Sequence, residues 1–199
     1  MRQGHFKVAA HYVRYRDDRS RMRELQTTPA EDPNQESFVT VTRDGQSDLW
    51  NGQELKKRIQ FASIGLKLTM GEDELERELR RSIGAEISAE DLQKTICLNA
   101  RALIEKDADM AKFAGRILLS YIYEEVLNWN IISDGIEGLK AAHKKAFRSY
   151  LKHGVKIKRL SPDLLDGRYD IPKLANALDP TADLDFDYLG IQTLSLIHI

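Results

Sequence analysis

The sequence predicts a mainly α-helical protein with one small β-hairpin. Two observations carry the prediction. Beyond residue 51, apolar residues recur at three- and four-residue spacing through most of the chain. Before that point, the β-rich run Phe38-Val39-Thr40-Val41-Thr42 leads into Arg43-Asp44-Gly45-Gln46, whose Asp-Gly pair is a hairpin turn signal. The composition allows a real core: 199 residues, 42% hydrophobic and 31% charged.

Taken in order, residues 5–24 predict an amphipathic helix, with Phe6, Val8, Ala9, Tyr12, Val13 and Tyr15 as its apolar stripe. Seven Lys/Arg against three Asp/Glu within residues 1–24 crowd its far end, where cations suit a helix C-terminus. Residues 25–37 are a linker, polar from Gln26 to Ser37, with two prolines and no apolar period. The hairpin occupies residues 38–50. Leu55, Ile59, Ala62, Ile64 and Leu66 then predict a helix ending near Gly65. Leu75, Leu79 and Ile83 predict a second, from Met70 to Ile83. Ser88-Ala89-Glu90-Asp91 matches a capping box, ahead of a face made by Leu92, Ile96, Ala100 and Leu103. Asp109 is expected to cap the next helix, which carries Phe113, Ile117, Tyr121 and Ile122. Ile136, Leu139, His143, Phe147 and Tyr150 define one more. Residues 161–190 are acidic, with seven Asp and two basic residues, and Pro162, Pro172 and Pro180 divide them into short helices.

Composition bounds the function. A formal net charge of -1 argues against a nucleic-acid binder held by bulk electrostatics. The single cysteine, Cys97, excludes an intrachain disulfide framework and a multi-cysteine zinc site. No run approaches the roughly 18 apolar residues of a membrane span, and Met1 to His5 lack a signal-peptide core. A cytoplasmic protein is expected, with no membrane partner. Eight Lys/Arg and no acid lie between Lys140 and Arg159, which reads as the solvated face of a helix rather than an RNA site. Cys97 reads as a small buried hydrophobe rather than a nucleophile. The histidines show no metal spacing, and no P-loop, GxGxxG or GxSxG occurs. Asp183, Asp185 and Asp187 alternate with Leu184, Phe186 and Tyr188, as in a helix cap with inward apolar side chains rather than a metal site. Residue chemistry alone identifies no catalytic residue.

Two strings carry a family resemblance: Ala100-Arg101-Ala102-Leu103-Ile104-Glu105-Lys106-Asp107, and Phe186-Asp187-Tyr188-Leu189-Gly190-Ile191-Gln192-Thr193-Leu194. Through them the chain resembles the large (alpha) subunit of class I ribonucleotide reductase over residues 4–194. The resemblance implies an ATP-cone-like helical bundle with a small β-hairpin, followed by the helical start of the reductase catalytic module. Residues 1–24 are similar to the last helix of an upstream cone otherwise absent, which would make Met1 an internal methionine. Residues 38–130 look like a second cone and residues 131–193 like the helical region that follows it. Residues 194–199 replace the family's expected Tyr-Asp-Arg-Tyr and read as an adapter-derived tail.

Thr42-Arg43-Asp44-Gly45 falls where nucleotide-binding cones carry Lys-Arg-Asp-Gly. Thr42 stands in place of one lysine, with Glu54 and Glu124 at two further lysine positions. A polyphosphate needs cations, so the resemblance implies a degenerate cone that keeps the fold and has lost the nucleotide. Arg19 and Arg43 remain as candidate ATP/dATP-contacting residues. For the parent, the resemblance implies reduction of ribonucleoside diphosphates by radical chemistry. Its partners would be the remainder of the large subunit, a radical-generating small subunit, and thioredoxin or glutaredoxin. The catalytic cysteines would lie outside this sequence, leaving the fragment inactive with no cofactor of its own. The competing readings are a free-standing ATP-cone regulatory or adaptor protein and a general helical interaction module. The reductase-like string from Phe186 to Thr193 argues against both.

Overall fold

Asp44 and Gly45 both take positive φ, 51° and 79°, the left-handed pair that a two-residue hairpin turn requires. They join β1 (Val39–Arg43) to β2 (Gln46–Trp50) in antiparallel register, Val39 opposite Trp50 and Arg43 opposite Gln46. The structure, a computed structural model, describes residues 39–197. The expected helix 5–24, the linker 25–37 and Arg19 lie outside the described residues.

A third strand, β3 (Glu86–Ser88), pairs parallel with β1, giving the order β2-β1-β3. The sequence reading has no strand here. Three residues are too few to show an alternating period, and the parallel pairing depends on the chain between the strands. That crossover holds α1 (Gln53–Ser63) and α2 (Glu72–Arg80). Leu55, Ile59 and Ala62 of α1 and Leu75 and Leu79 of α2 are buried as their spacing predicts. Ile83 is different: α2 stops at Arg80, and Ile83 packs on the core from the loop beyond. Asn99 closes that helix end from outside, its Nδ2 donating to the carbonyls of Leu79 and Arg81.

Ser88 ends β3 and caps α3 (Ala89–Ala102), its Oγ accepting from the Asp91 backbone N–H at 3.0 Å. The expected Asp109 cap is corrected. Asp109 does sit at the N-cap of α4 (Met110–Leu127), but its carboxylate accepts the Lys67 backbone N–H at 2.9 Å instead. Asp107 beside it accepts from the backbone of Asp109 and Thr69, which lowers its carboxyl pKa below the ordinary value. The two aspartates thus hold the loop between α1 and α2 against the start of α4.

Helix α4 organises the interior. Met110, Phe113, Ala114, Ile117 and Tyr121 face a core shared with α1, α2 and α3. Leu119 and Tyr123 face a second core with Phe61, Trp129, Ile131, Leu139 and Ile191. The chain then forms α5 (Leu139–Lys156), α6 (Ile171–Ala177) and α7 (Tyr188–Ile197). Pro162, Pro172 and Pro180 each stand in the first turn of a short helix, where a missing N–H costs nothing. The mainly helical expectation holds, with seven α-helices and one small sheet among the described residues.

Two contacts dock α7 on α4. Gly115 lets the backbone of Asp187 and Tyr188 approach so closely that an added Cβ would lie 2.8 Å from the Asp187 carbonyl carbon. Next to it, the buried Arg116 donates to the carbonyls of Ala62, Ile64 and Leu184, tying the end of α1 to the segment before α7. Ile191 of α7 is thereby buried in the second core. Tyr150 and Leu189 are exposed, and Phe147 is half-buried.

Candidate functional site

Arg43, at the end of β1, lines an open cleft of about 450 Å³ together with Gln93, Tyr121, Glu124, Glu125 and Asn128. Among the described residues Arg43 has no ion pair, so its guanidinium is free. Thr42 does not join it in the cleft lining; its hydroxyl pairs with Ser47 across the hairpin at 3.0 Å. The cleft also holds two carboxylates, and one of them leads into the protein.

Glu124 and Glu54 converge on Arg58. The Arg58 side chain is fully buried between α1 and α4. Its Nε and Nη2 donate to Glu54 Oε1 at 3.1 and 2.5 Å, Nη2 donates to Glu124 Oε2 at 2.5 Å, and Nη1 donates to Ser120 Oγ at 2.8 Å. The guanidinium carbon lies 3.6 Å from the centre of the Tyr121 ring. Burial alone would lower the Arg58 pKa; Tyr121, Glu124 and Glu54 outweigh it and hold the group above its ordinary value. A buried cation so compensated stays charged.

The sequence gives only a weak signal for this centre. Glu54 and Arg58 have the i,i+4 spacing of a surface pair on α1, but nothing local places Glu124, 66 residues on, against the same guanidinium. Cys97 lies nearby and is buried, with its thiol pushed up to about 12 by burial against the opposing influence of Arg58. That suits a core residue and not a nucleophile.

A second polar cluster lies in the other core. Tyr123 donates its hydroxyl to Asp183 Oδ2 at 2.6 Å, and His143 stands edge-on to the Tyr123 ring at 5.0 Å. Burial, then Asp183, raises the Tyr123 pKa. Burial lowers that of His143, with Asp183 opposing. Asp187 accepts the Gly190 N–H at 2.7 Å, so of the acidic run it alone acts as the expected cap of α7. Among the described residues no three His, Cys, Asp or Glu side chains are placed to hold a metal, and no helix is long and apolar enough to cross a membrane.

No protein-family model matches the chain. It is similar to the ribonucleoside-diphosphate reductase subunit alpha of Chlamydia pneumoniae, 31% identical over 194 residues. The subunit alpha of Chlamydia muridarum is likewise 31% identical over 194 residues, and that of Chlamydia trachomatis 30% over 198. Each alignment covers 96% of this chain and 18% of the relative, so the chain spans less than a fifth of their length. Along that shared segment it is a homologue of the reductase alpha subunit, as the resemblance implied.

Proposed function

We propose that this chain is a regulatory segment of a ribonucleoside-diphosphate reductase alpha subunit, and that its cone-like unit stands closed without nucleotide. The parent enzyme would reduce ribonucleoside diphosphates to deoxyribonucleoside diphosphates, with a radical-generating small subunit and a thioredoxin or glutaredoxin as partners. Its reacting cysteines would come from the rest of the subunit. The kinship along 96% of the chain supports the parentage. One observation carries the finer reading, the closed Glu54–Arg58–Glu124 centre.

A bound triphosphate needs unspent cations. Arg58 has little of that capacity to give: its four hydrogen bonds, two to Glu54 and one each to Glu124 and Ser120, use four of its five N–H donors. Tyr121 covers one face of it. Among the described residues Arg43 alone faces the cleft as a free cation, and Glu124 and Glu125 line the same cleft. Like charges beside a phosphate oppose its binding.

Titration calorimetry of the chain with ATP and with dATP tests this. No saturable heat is expected, and saturable binding in the micromolar range overturns the reading. Restoring cations at positions 54 and 124 alone would surround a buried guanidinium with ammoniums, a heavily destabilising arrangement. The variant to compare is therefore Thr42→Lys with Glu54→Lys, Glu124→Lys and Arg58→Met, in which nucleotide binding is expected to return.

A further inference from the structure

Helix α5 carries a charge pattern found nowhere else in the described residues. Elsewhere among those residues the paired cations Lys56, Arg58, Arg80, Arg81, Lys94, Lys106, Lys112 and Arg168 are interspersed with unpaired ones such as Arg43 and Lys57, and acids lie among them. The eight Lys/Arg from Lys140 to Arg159 form no ion pair among the described residues, and no acid lies in that stretch. Four of them, Lys145, Arg148, Lys152 and Lys156, follow one another at three, four and four residues along a single exposed face. That face is a ridge between two grooves. On one side Lys145 borders a groove of about 590 Å³ walled by Val126, Ala146, Phe147, Tyr150 and Leu178. On the other, Arg148 and Lys152 border one of about 310 Å³ lined by Leu164, Leu165, Tyr169 and Ile171. Val126 and Tyr150 are each 67% exposed at the rim of the larger groove.

Unpaired cations in a row repel one another, and exposed apolar walls beside them remain in contact with water. A single ligand relieves both when it brings carboxylates for the ridge and apolar side chains for the groove. We propose that α5 docks an acidic amphipathic peptide segment of a partner protein. Its carboxylates lie along Lys145, Arg148, Lys152 and Lys156, and its apolar side chains enter the groove between Val126 and Tyr150. This goes beyond the reductase reading and does not depend on it.

A nucleic acid fits the same surface less well. Its charge is continuous, and the segment that follows α5 carries Asp163, Asp166, Asp170 and Asp179, which oppose a long polyanion more than a short peptide. In the larger groove Val126, Leu127, Ala146 and Leu178 alternate with the rings of His143, Phe147, Tyr150 and His153, a mixed wall rather than an unbroken row of stacking aromatics.

The test is fluorescence anisotropy on the full chain. The probe is a short fluorescein-labelled peptide of Glu, Leu, Phe and Ala, acidic on one helical face and apolar on the other. Its comparators are the same residues scrambled and an oligothymidylate of equal length. The amphipathic probe is expected to bind about tenfold tighter than either, a difference of about 1.4 kcal/mol. Lys145→Glu with Arg148→Glu and Lys152→Glu should lose at least about tenfold, and Val126→Ser with Tyr150→Ser severalfold. All five positions are exposed, and circular dichroism confirms that each variant is folded. Equal affinity for the scrambled peptide, tighter binding of the oligonucleotide, or indifference to charge reversal each overturns the proposal.

Discussion

Replacing Arg58 with Met is the most informative single change in this protein. It removes the guanidinium that two carboxylates share and leaves Glu54 and Glu124 facing each other across α1 and α4. Breaking a buried ion pair by removing one partner costs about 3–5 kcal/mol. The Arg58 side chain is fully buried, but Glu54 is 36% and Glu124 27% exposed. Both carboxylates can therefore turn partly to water, which places the cost near the lower end, about 3 kcal/mol. In a domain of this size each kcal/mol moves the melting midpoint by about 2–4 °C, so a fall of about 6–12 °C is expected. Urea denaturation followed by circular dichroism measures the free energy directly. The triple variant Arg58→Met, Glu54→Gln, Glu124→Gln removes the stranded charges and should recover much of the loss, since a neutral replacement of a buried ion triad is often tolerated. The reasoning fails if Arg58→Met alone unfolds within about 0.5 kcal/mol of the parent chain, the range of ordinary surface substitutions.

Three further outcomes follow from the packing around α4. Gly115→Ala places a Cβ against the Asp187–Tyr188 backbone. Overpacking costs about 1–3 kcal/mol and opposes a helix-propensity gain of about 1 kcal/mol; hydrogen exchange should show faster amide exchange in residues 188–197, and unchanged protection there would contradict the close approach. Cys97, buried with its thiol pushed up to about 12, should resist Ellman's reagent at mildly alkaline pH and react fully once urea is added. Rapid labelling of the folded chain would show that the thiol is accessible. For His143, burial lowers the folded-state pKa below the ordinary value of about 6.5. The unfolded chain then takes up the proton first, so the stability linked to neutral His143 is present above about pH 6.5 and is lost as pH falls through the folded pKa. The fall in stability between neutral and mildly acidic pH should be shallower in His143→Phe, and equal slopes would refute that role.

What was legible in the sequence was whatever depended on neighbours along the chain. The hairpin rests on Asp44-Gly45, the start of α3 on Ser88 and its relation to Asp91, and the core faces on Leu55, Ile59, Leu75, Leu79, Ile96 and Ile117 at helical spacing. What was not legible depended on pairing at a distance. β3 exists because Thr40, Val41 and Thr42 pair with Glu86, Ile87 and Ser88, and three residues carry no periodicity of their own. Asp109 has the composition of a cap, but Lys67 reaches its carboxylate first. Ile191 is buried because Gly115 lets α7 come close to α4, and a missing side chain in one helix gives no sign of which partner it admits.

The same distinction governs the candidate site. The resemblance sets Glu54 and Glu124 at positions where nucleotide-binding cones carry lysines, which along the chain reads only as a loss. In space they are partners of one buried arginine, and that changes what the substitutions mean. A lysine at either position would be incompatible with Arg58 beside it, and Arg58 without either glutamate would be a buried charge short of compensation. The three residues therefore form one unit, held on the polar side by Ser120 and on the ring side by Tyr121. A site that closes on a ligand relies on that ligand to join its helices. Here α1 and α4 are joined by Arg58 of α1 itself, through Glu124 and Ser120 of α4.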